Sequence, residues 1–251
     1  MFSAKLRART VGLALAGAAL GAPVALTAGV VVKSSGPSAT RFPVGTKLDD
    51  SATITLRDGD VVTVLTSQGT RVIRGAGAHR VGDRPQVANE RFAALTRKRS
   101  ARRVRTGAVR GDNDETRSNP SLWYVDVTRS GTVCLYDLAT VRLWRPGTDG
   151  TSTYRVADAS SDVHVEVTFD DTVMIAALDP ARIPIREGAT YQVSGPDGVP
   201  TAQIGFVHLD ADFETPDALA EALLAKGCMV QIETLANSLE AAAQAAEDGA
   251  A

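Results

Sequence analysis

The chain has 251 residues, room for one large domain or two small ones, and its 44% hydrophobic and 22% charged residues are the balance of a globular protein. A formal net charge of −2 excludes a globally basic nucleic-acid binder. Aromatic residues make up only 5%, so the cores must be built from Val, Leu, Ile and Ala.

The first ten residues, MFSAKLRART, carry Lys5, Arg7 and Arg9 and no acid, and no charge follows from Thr10 to Val32. A basic start, an apolar run and then small residues predict a secretory signal over 1–28. Pro23 breaks the run, and Leu26-Thr27-Ala28 and Thr27-Ala28-Gly29 are both passable cleavage points. The alternative is an uncleaved anchor, because the run is just long enough to span a bilayer. Either way the rest of the chain is expected outside the cytoplasm: in the periplasm, or anchored to the inner membrane and facing it. Removing the leader takes the formal charge from −2 to about −5. No Cys follows the apolar run, so no lipoprotein anchor is expected.

Residues 29–88 read as a small β-domain. GVVVKSSG is a strand ending in turn residues. Asp58-Gly59 predicts a hairpin turn between a strand at Ile54 and one at Val61–Leu65, and Gln68-Gly69 predicts a second turn before Val72 and Ile73. Residues 89–121 read as a short helix from Asn89 to Leu95 and then a linker. That linker opens on TRKRSARRVR, in which Arg97, Lys98, Arg99, Arg102, Arg103 and Arg105 are six of ten residues. TGAVRGDNDETRSNPS follows, rich in turn formers and poor in anything to bury.

Residues 122–214 read as a β-sandwich of seven or eight short strands. LWYVDVTRSGTVCLYDLATVRLW alternates, with Ser130-Gly131 read as the turn of its first hairpin. Strands STYRVA, VHVEVTF, TVMIAAL, ATYQVSG and AQIGFVHL complete it. Residues 215–251 read as helical. Thr215 is the expected cap, Pro216 the first helical residue and Gly227 the stop. A second helix over about 229–245 is expected to bury Leu235 and Leu239, with a fraying Ala-rich tail. The fold class is thus mainly β: a small β-domain, a β-sandwich and C-terminal α-helices.

The glycines and strand residues of VVVKSSGPSA, VGTKL and TLRDGDVVTVLTSQGTRVIRG resemble the FecR-like domain of exported bacterial proteins of alphaproteobacterial type. The second half looks like the region that accompanies this domain in some periplasmic proteins. The resemblance implies an all-β fold and an envelope location, and no active site. The best-known FecR proteins bind a sigma factor through a helical cytoplasmic segment. The ten residues before the apolar run are too few for one, so an anti-sigma role is not expected.

Four groups of residues could carry function. The basic run could meet lipid phosphates or an acidic partner, against the alternative of a solvated helix end; no aromatics interleave it to stack bases, so no nucleic-acid partner is expected. His208, Asp210, Asp212 and Glu214 recur at period two and, on one strand, would share a face, but the calcium-loop pattern is incomplete, which makes them a weak metal candidate. Cys134 and Cys228 are two thiols in an oxidising compartment, without the C-x-x-C spacing of a redox pair, and predict a structural disulfide. Trp123, Tyr124, Trp144, Tyr154 and Tyr191 are expected in the core rather than on a sugar platform. The chain lacks G-x-S-x-G, His79, His164 and His208 sit in unrelated contexts, and His164 alternates with Val163 and Val165 on the polar side of its strand. No cofactor and no catalysis are expected. The expected role is a binding, scaffold or sensory-accessory module for another envelope protein, with an anionic-lipid or glycan binder as the alternative.

Overall fold

A computed structural model describes residues 28–83, 89–97, 118–147, 150–196, 199–210 and 212–248. The protein is mainly β, with two β-units and two C-terminal helices.

The first unit contains β1 (Ala28–Ser35), β2 (Lys47–Asp49), β3 (Thr53–Leu56), β4 (Val61–Thr66), β5 (Gly69–Arg74) and β6 (Gly77–Arg80). They form a four-stranded sheet, β2-β1-β4-β5, and a two-stranded ribbon, β3-β6. Alternation sends Val31, Val62, Val64 and Ile73 toward the ribbon, where they meet Ile54, Leu56, Phe42 and Val81. Val32, Leu65 and Val72 face the other way. Val32 takes that second face by alternation, and the register shift of β1 on β4 between Val31 and Lys33 brings Lys33 to the same side, opposite Thr63.

The expected hairpin at Asp58-Gly59 does not form. Gly59 is left-handed, as a turn requires (φ 80°), but β3 pairs with β6 and β4 with β1 and β5. The turn carries the chain between sheets. Asp60 explains this: its carboxylate accepts the Arg57 N–H (2.6 Å) and the Ser38 N–H (2.8 Å), tying the turn to the end of β1. A Cβ at Gly36 would lie 2.5 Å from the Gly59 carbonyl oxygen and 2.7 Å from Asp60 Oδ1, so only glycine fits where these segments touch. The second expected turn holds, displaced by one residue: Thr66 pairs with Gly69.

After α1 (Asn89–Thr96), the second unit runs through β7 (Tyr124–Asp126), β8 (Gly131–Leu135), β9 (Arg142–Trp144), β10 (Ser152–Asp158), β11 (His164–Phe169), β12 (Ile175–Ala177), β13 (Thr190–Ser194) and β14 (Ala202–His208). It is a sandwich of a five-stranded sheet, β11-β10-β13-β14-β8, on a three-stranded sheet, β12-β9-β7. Val125, Leu143, Val156, Phe169, Tyr191 and Ile204 are among the residues filling its core. The Tyr191 hydroxyl donates to the Pro184 carbonyl and accepts the Arg186 N–H, a corner bond of the kind sandwiches use to fix a crossing loop.

The hairpin expected at Ser130-Gly131 is also replaced by a crossing. β7 lies in the small sheet, parallel to β9, and β8 lies in the large one, parallel to β14. Asp126 accepts the N–H and hydroxyl of Thr128, and this local turn redirects the chain across the sandwich.

α2 (Pro216–Ala225) and α3 (Met229–Asp248) follow. Thr215 occupies the N-cap position but makes no side-chain cap bond. Gly227 is the left-handed stop (φ 74°). The helices do not sit apart from the β-units. α2 packs on β1 and β4, and α3 packs on β1, β5 and β8 as well as on α1. Ile232, Leu235, Ala236, Leu239 and Ala243 are buried together with Val32, Leu65, Leu122 and Leu219. α3 therefore buries more than the expected Leu235 and Leu239, and it stays helical to Asp248 rather than fraying after Glu240. Alanine explains both: small side chains at 236 and 243 let the helix approach the sheet closely, and alanine is the best helix former.

Candidate functional site

Three features converge where the two β-units meet the helices. The first is the staple behind α3. Cys134 and Cys228 form a disulfide with a Cα–Cα distance of 5.9 Å, joining β8 to the start of α3. One turn later the buried Gln231 reaches the same strand. Its Oε1 accepts the Cys134 N–H (2.7 Å), and its Nε2 donates to the carbonyls of Cys134 and Leu122 (2.8 Å each). β8 is an edge strand, so this one amide supplies the partners a neighbouring strand would have given.

The second feature is a polar seam between α3 and the first sheet. Lys33 Nζ donates to Glu240 Oε2 (2.6 Å) and Asn237 Oδ1 (2.9 Å). The buried Thr63 hydroxyl donates to Glu240 Oε1, and Arg74 donates to Gln244 (3.1 Å). Glu240 is only 15% exposed. Its place in an Ala-rich tail gave no sign of it.

The third feature is the root of the basic run. The Leu122 N–H donates to the Leu95 carbonyl (3.2 Å), and the Trp123 indole N–H donates to the Thr96 carbonyl (2.8 Å). The chain therefore leaves α1 and re-enters the fold at one place. Trp123 stacks edge-on against Tyr136 with ring centroids 4.6 Å apart. Burial pushes the Tyr136 hydroxyl up to about 12. The Tyr136 backbone carbonyl accepts His208 Nε2 (2.9 Å), and His208 Nδ1 meets Asp210 (2.7 Å). Exposed Arg97 thus follows the Thr96 carbonyl that Trp123 binds, and half-buried Trp123 packs on Tyr136, whose carbonyl holds the His208–Asp210 pair.

The sequence-predicted residues are distributed as follows. Of the basic run, Arg97 is exposed at the end of α1, while Lys98, Arg99, Arg102, Arg103 and Arg105 lie outside the described residues, as do 1–27 with the expected leader. β14 ends at His208, Leu209 turns inward, and Asp210, Asp212 and Glu214 follow in non-strand backbone. The shared strand face expected of these four is therefore absent. Among the described residues no three His, Cys, Asp or Glu groups gather as a metal set requires. Trp144, Tyr154 and Tyr191 are buried as expected, and Trp123 and Tyr124 are half-buried. No helix among the described residues is long and apolar enough to cross a membrane.

The buried ionisable groups serve the scaffold. The Arg145 guanidinium, 3% exposed, donates to the Val173, Gly150 and Asp170 carbonyls and the Ser152 hydroxyl at 2.6–3.0 Å, and it lies over the Phe169 ring. Arg145 shares strand parity with inward-facing Val141 and Leu143, so alternation alone would have placed it inward. Burial pushes the Asp60 carboxyl up, but its donors at Arg57 and Ser38 outweigh this and hold it below the ordinary carboxylate value. The Ser160 hydroxyl and N–H, aided by Arg186, hold Asp158 low in the same way.

Comparison with protein-family models, with curated proteins and with solved structures finds no match in any of the three.

Proposed function

We propose that this chain is an exported cell-envelope protein that works by binding another envelope protein rather than by chemistry. The partner meets it at the root of the basic run. The observation that carries this reading is the pair of hydrogen bonds from Leu122 and Trp123 to Leu95 and Thr96. They hold the two ends of the stretch between Arg97 and Ser121, within which the cation-rich run lies, beside Trp123 and Tyr136. The buried Cys134–Cys228 disulfide supports export, because such bonds persist in oxidising compartments. Arg145, Asp60 and Asp158 are spent on loop closure, which supports binding over catalysis. The short strands and glycine turns of the first unit keep a FecR-like module as its proposed family.

The six cations in ten residues favour anionic lipid as the second reading. Two arms separate the readings. Envelope extract should yield a partner retained by the wild-type chain and lost when Arg97, Lys98, Arg99, Arg102, Arg103 and Arg105 are neutralised. Liposomes of anionic lipid should bind in a salt-sensitive way only if the second reading holds. Retention of the same partner by the neutralised chain overturns the proposed surface. Fractionation that leaves the protein in the cytoplasm overturns the export reading.

A further inference from the structure

The five-stranded sheet has two edges, and they are finished differently. At β8 the Gln231 amide takes both backbone groups of Cys134, and α3 packs alongside. At the other end β11, HVEVTF, pairs only with β10. The hydrogen bond from the Asp158 N–H to the Val163 carbonyl (3.0 Å) sets the phase of that ladder. Val165, Val167 and Phe169 turn their backbone groups toward β10, and His164, Glu166 and Thr168 turn theirs outward. Among the described residues nothing pairs with these outward groups. Several of the usual protections of an exposed edge are missing, although Glu166 puts one charge on the strand and β12 packs near it without pairing with it. The strand contains no Pro and no Lys, and its register on β10 is unbroken.

We propose that β11 is a self-association edge, which pairs antiparallel with β11 of a second copy about a two-fold axis at Val165. The side chains choose both the occupant and the register. His164, Glu166 and Thr168 are exposed on one face. An axis at Val165 sets His164 of each copy opposite Glu166 of the other, twice, and the ladder stops there because the Asp162 carbonyl already accepts His164 Nδ1 of its own chain (3.1 Å). Arg155 already stands opposite Glu166 on β10, so each Glu166 lies between two basic side chains. An axis at Glu166 would set two carboxylates face to face, which is unfavourable. A shift toward the C-terminal end is blocked because the Asp170 carbonyl is taken by Arg145. The strand is its own complement in this one register, and the product is a continuous ten-stranded sheet.

Sedimentation of the full chain from micromolar to millimolar concentration should show a reversible monomer–dimer equilibrium. Glu166→Pro removes an outward N–H, which an edge strand tolerates, together with the carboxylate opposite Arg155, so it should abolish the dimer while shifting thermal unfolding no more than Glu166→Ala does. His164→Glu sets Glu against Glu twice and should weaken dimerisation about tenfold. The exchange His164→Glu with Glu166→His recreates the pairs and should restore the affinity to within about fivefold. A chain monomeric throughout the range overturns the proposal. So does a dimer that Glu166→Pro leaves intact, or an exchange that fails to restore pairing.

Discussion

Replacing Gln231 by Met should unfold the protein by several kcal/mol without leaving a hole. Methionine has nearly the volume of glutamine and adapts to irregular sites, so the loss isolates hydrogen bonding. Three buried backbone groups lose their partner: the Cys134 N–H and the carbonyls of Cys134 and Leu122. Each unsatisfied group costs about 1–3 kcal/mol, with carbonyls toward the low end because they have a second lone pair. The expected total is about 3–5 kcal/mol. Urea unfolding at equilibrium under non-reducing conditions measures it, as a lowered midpoint with an unchanged slope. Thiol titration must show the disulfide intact in both proteins. Gln231→Glu should be no better than Met, since a carboxylate oxygen would then face two carbonyl oxygens. A Met variant within about 0.5 kcal/mol of wild type would refute the idea that this amide completes the β8 edge.

Peptide mapping without reductant should recover a linked Cys134–Cys228 fragment. The double Ala variant should lose about 4–5 kcal/mol by the chain-entropy model, given a sequence separation of 94. Arg145→Met strands three carbonyls and should cost about 3 kcal/mol. Arg145→Lys should recover little of this in thermal unfolding, because a single ammonium cannot reproduce the guanidinium fork. Asp60 and Asp158 both have folded values below the ordinary one, so the unfolded chain binds more protons as the pH falls through the carboxylate range. Their stabilisation is present above that range and lost as the pH falls through the folded values. Asp60→Asn and Asp158→Asn should each flatten the acid limb of a stability–pH curve. Thr63→Val should leave Glu240 short of a donor and cost about 1 kcal/mol, and it should lower protection of α3 amides in hydrogen exchange more than that of β10.

Strand existence was legible because alternation is local. Val125, Val133, Leu143, Val156 and Val165 each sit inward as their parity required. Partner choice was not legible, because it is decided by side chains that act at a distance. Asp60 ties its turn to Ser38, twenty-two residues away, and a turn-forming Asp-Gly looks the same whether it joins one sheet or two. Asp126 bends the chain across the sandwich through a local turn on Thr128, which in sequence looks the same as the turn of a hairpin. The disulfide was legible from two cysteines and the expectation of an oxidising compartment. The amide beside it was not, since a glutamine in the first turns of a helix ordinarily faces water. At the candidate surface, the cations were plain in the sequence. The Trp123–Tyr136 contact depends on segments that meet only after folding.

The hydrogen bonds that close the chain at Leu95 and Thr96 on Leu122 and Trp123 also separate two kinds of selection. The registers of both β-units and the seat of α3 are fixed by contacts on the fold side of that closure. Doubling the length of a closed loop costs only about 0.6 kcal/mol. The basic segment can therefore lengthen, shorten or change its charge while the scaffold keeps its stability, so its sequence is free to vary without the fold having to be solved again.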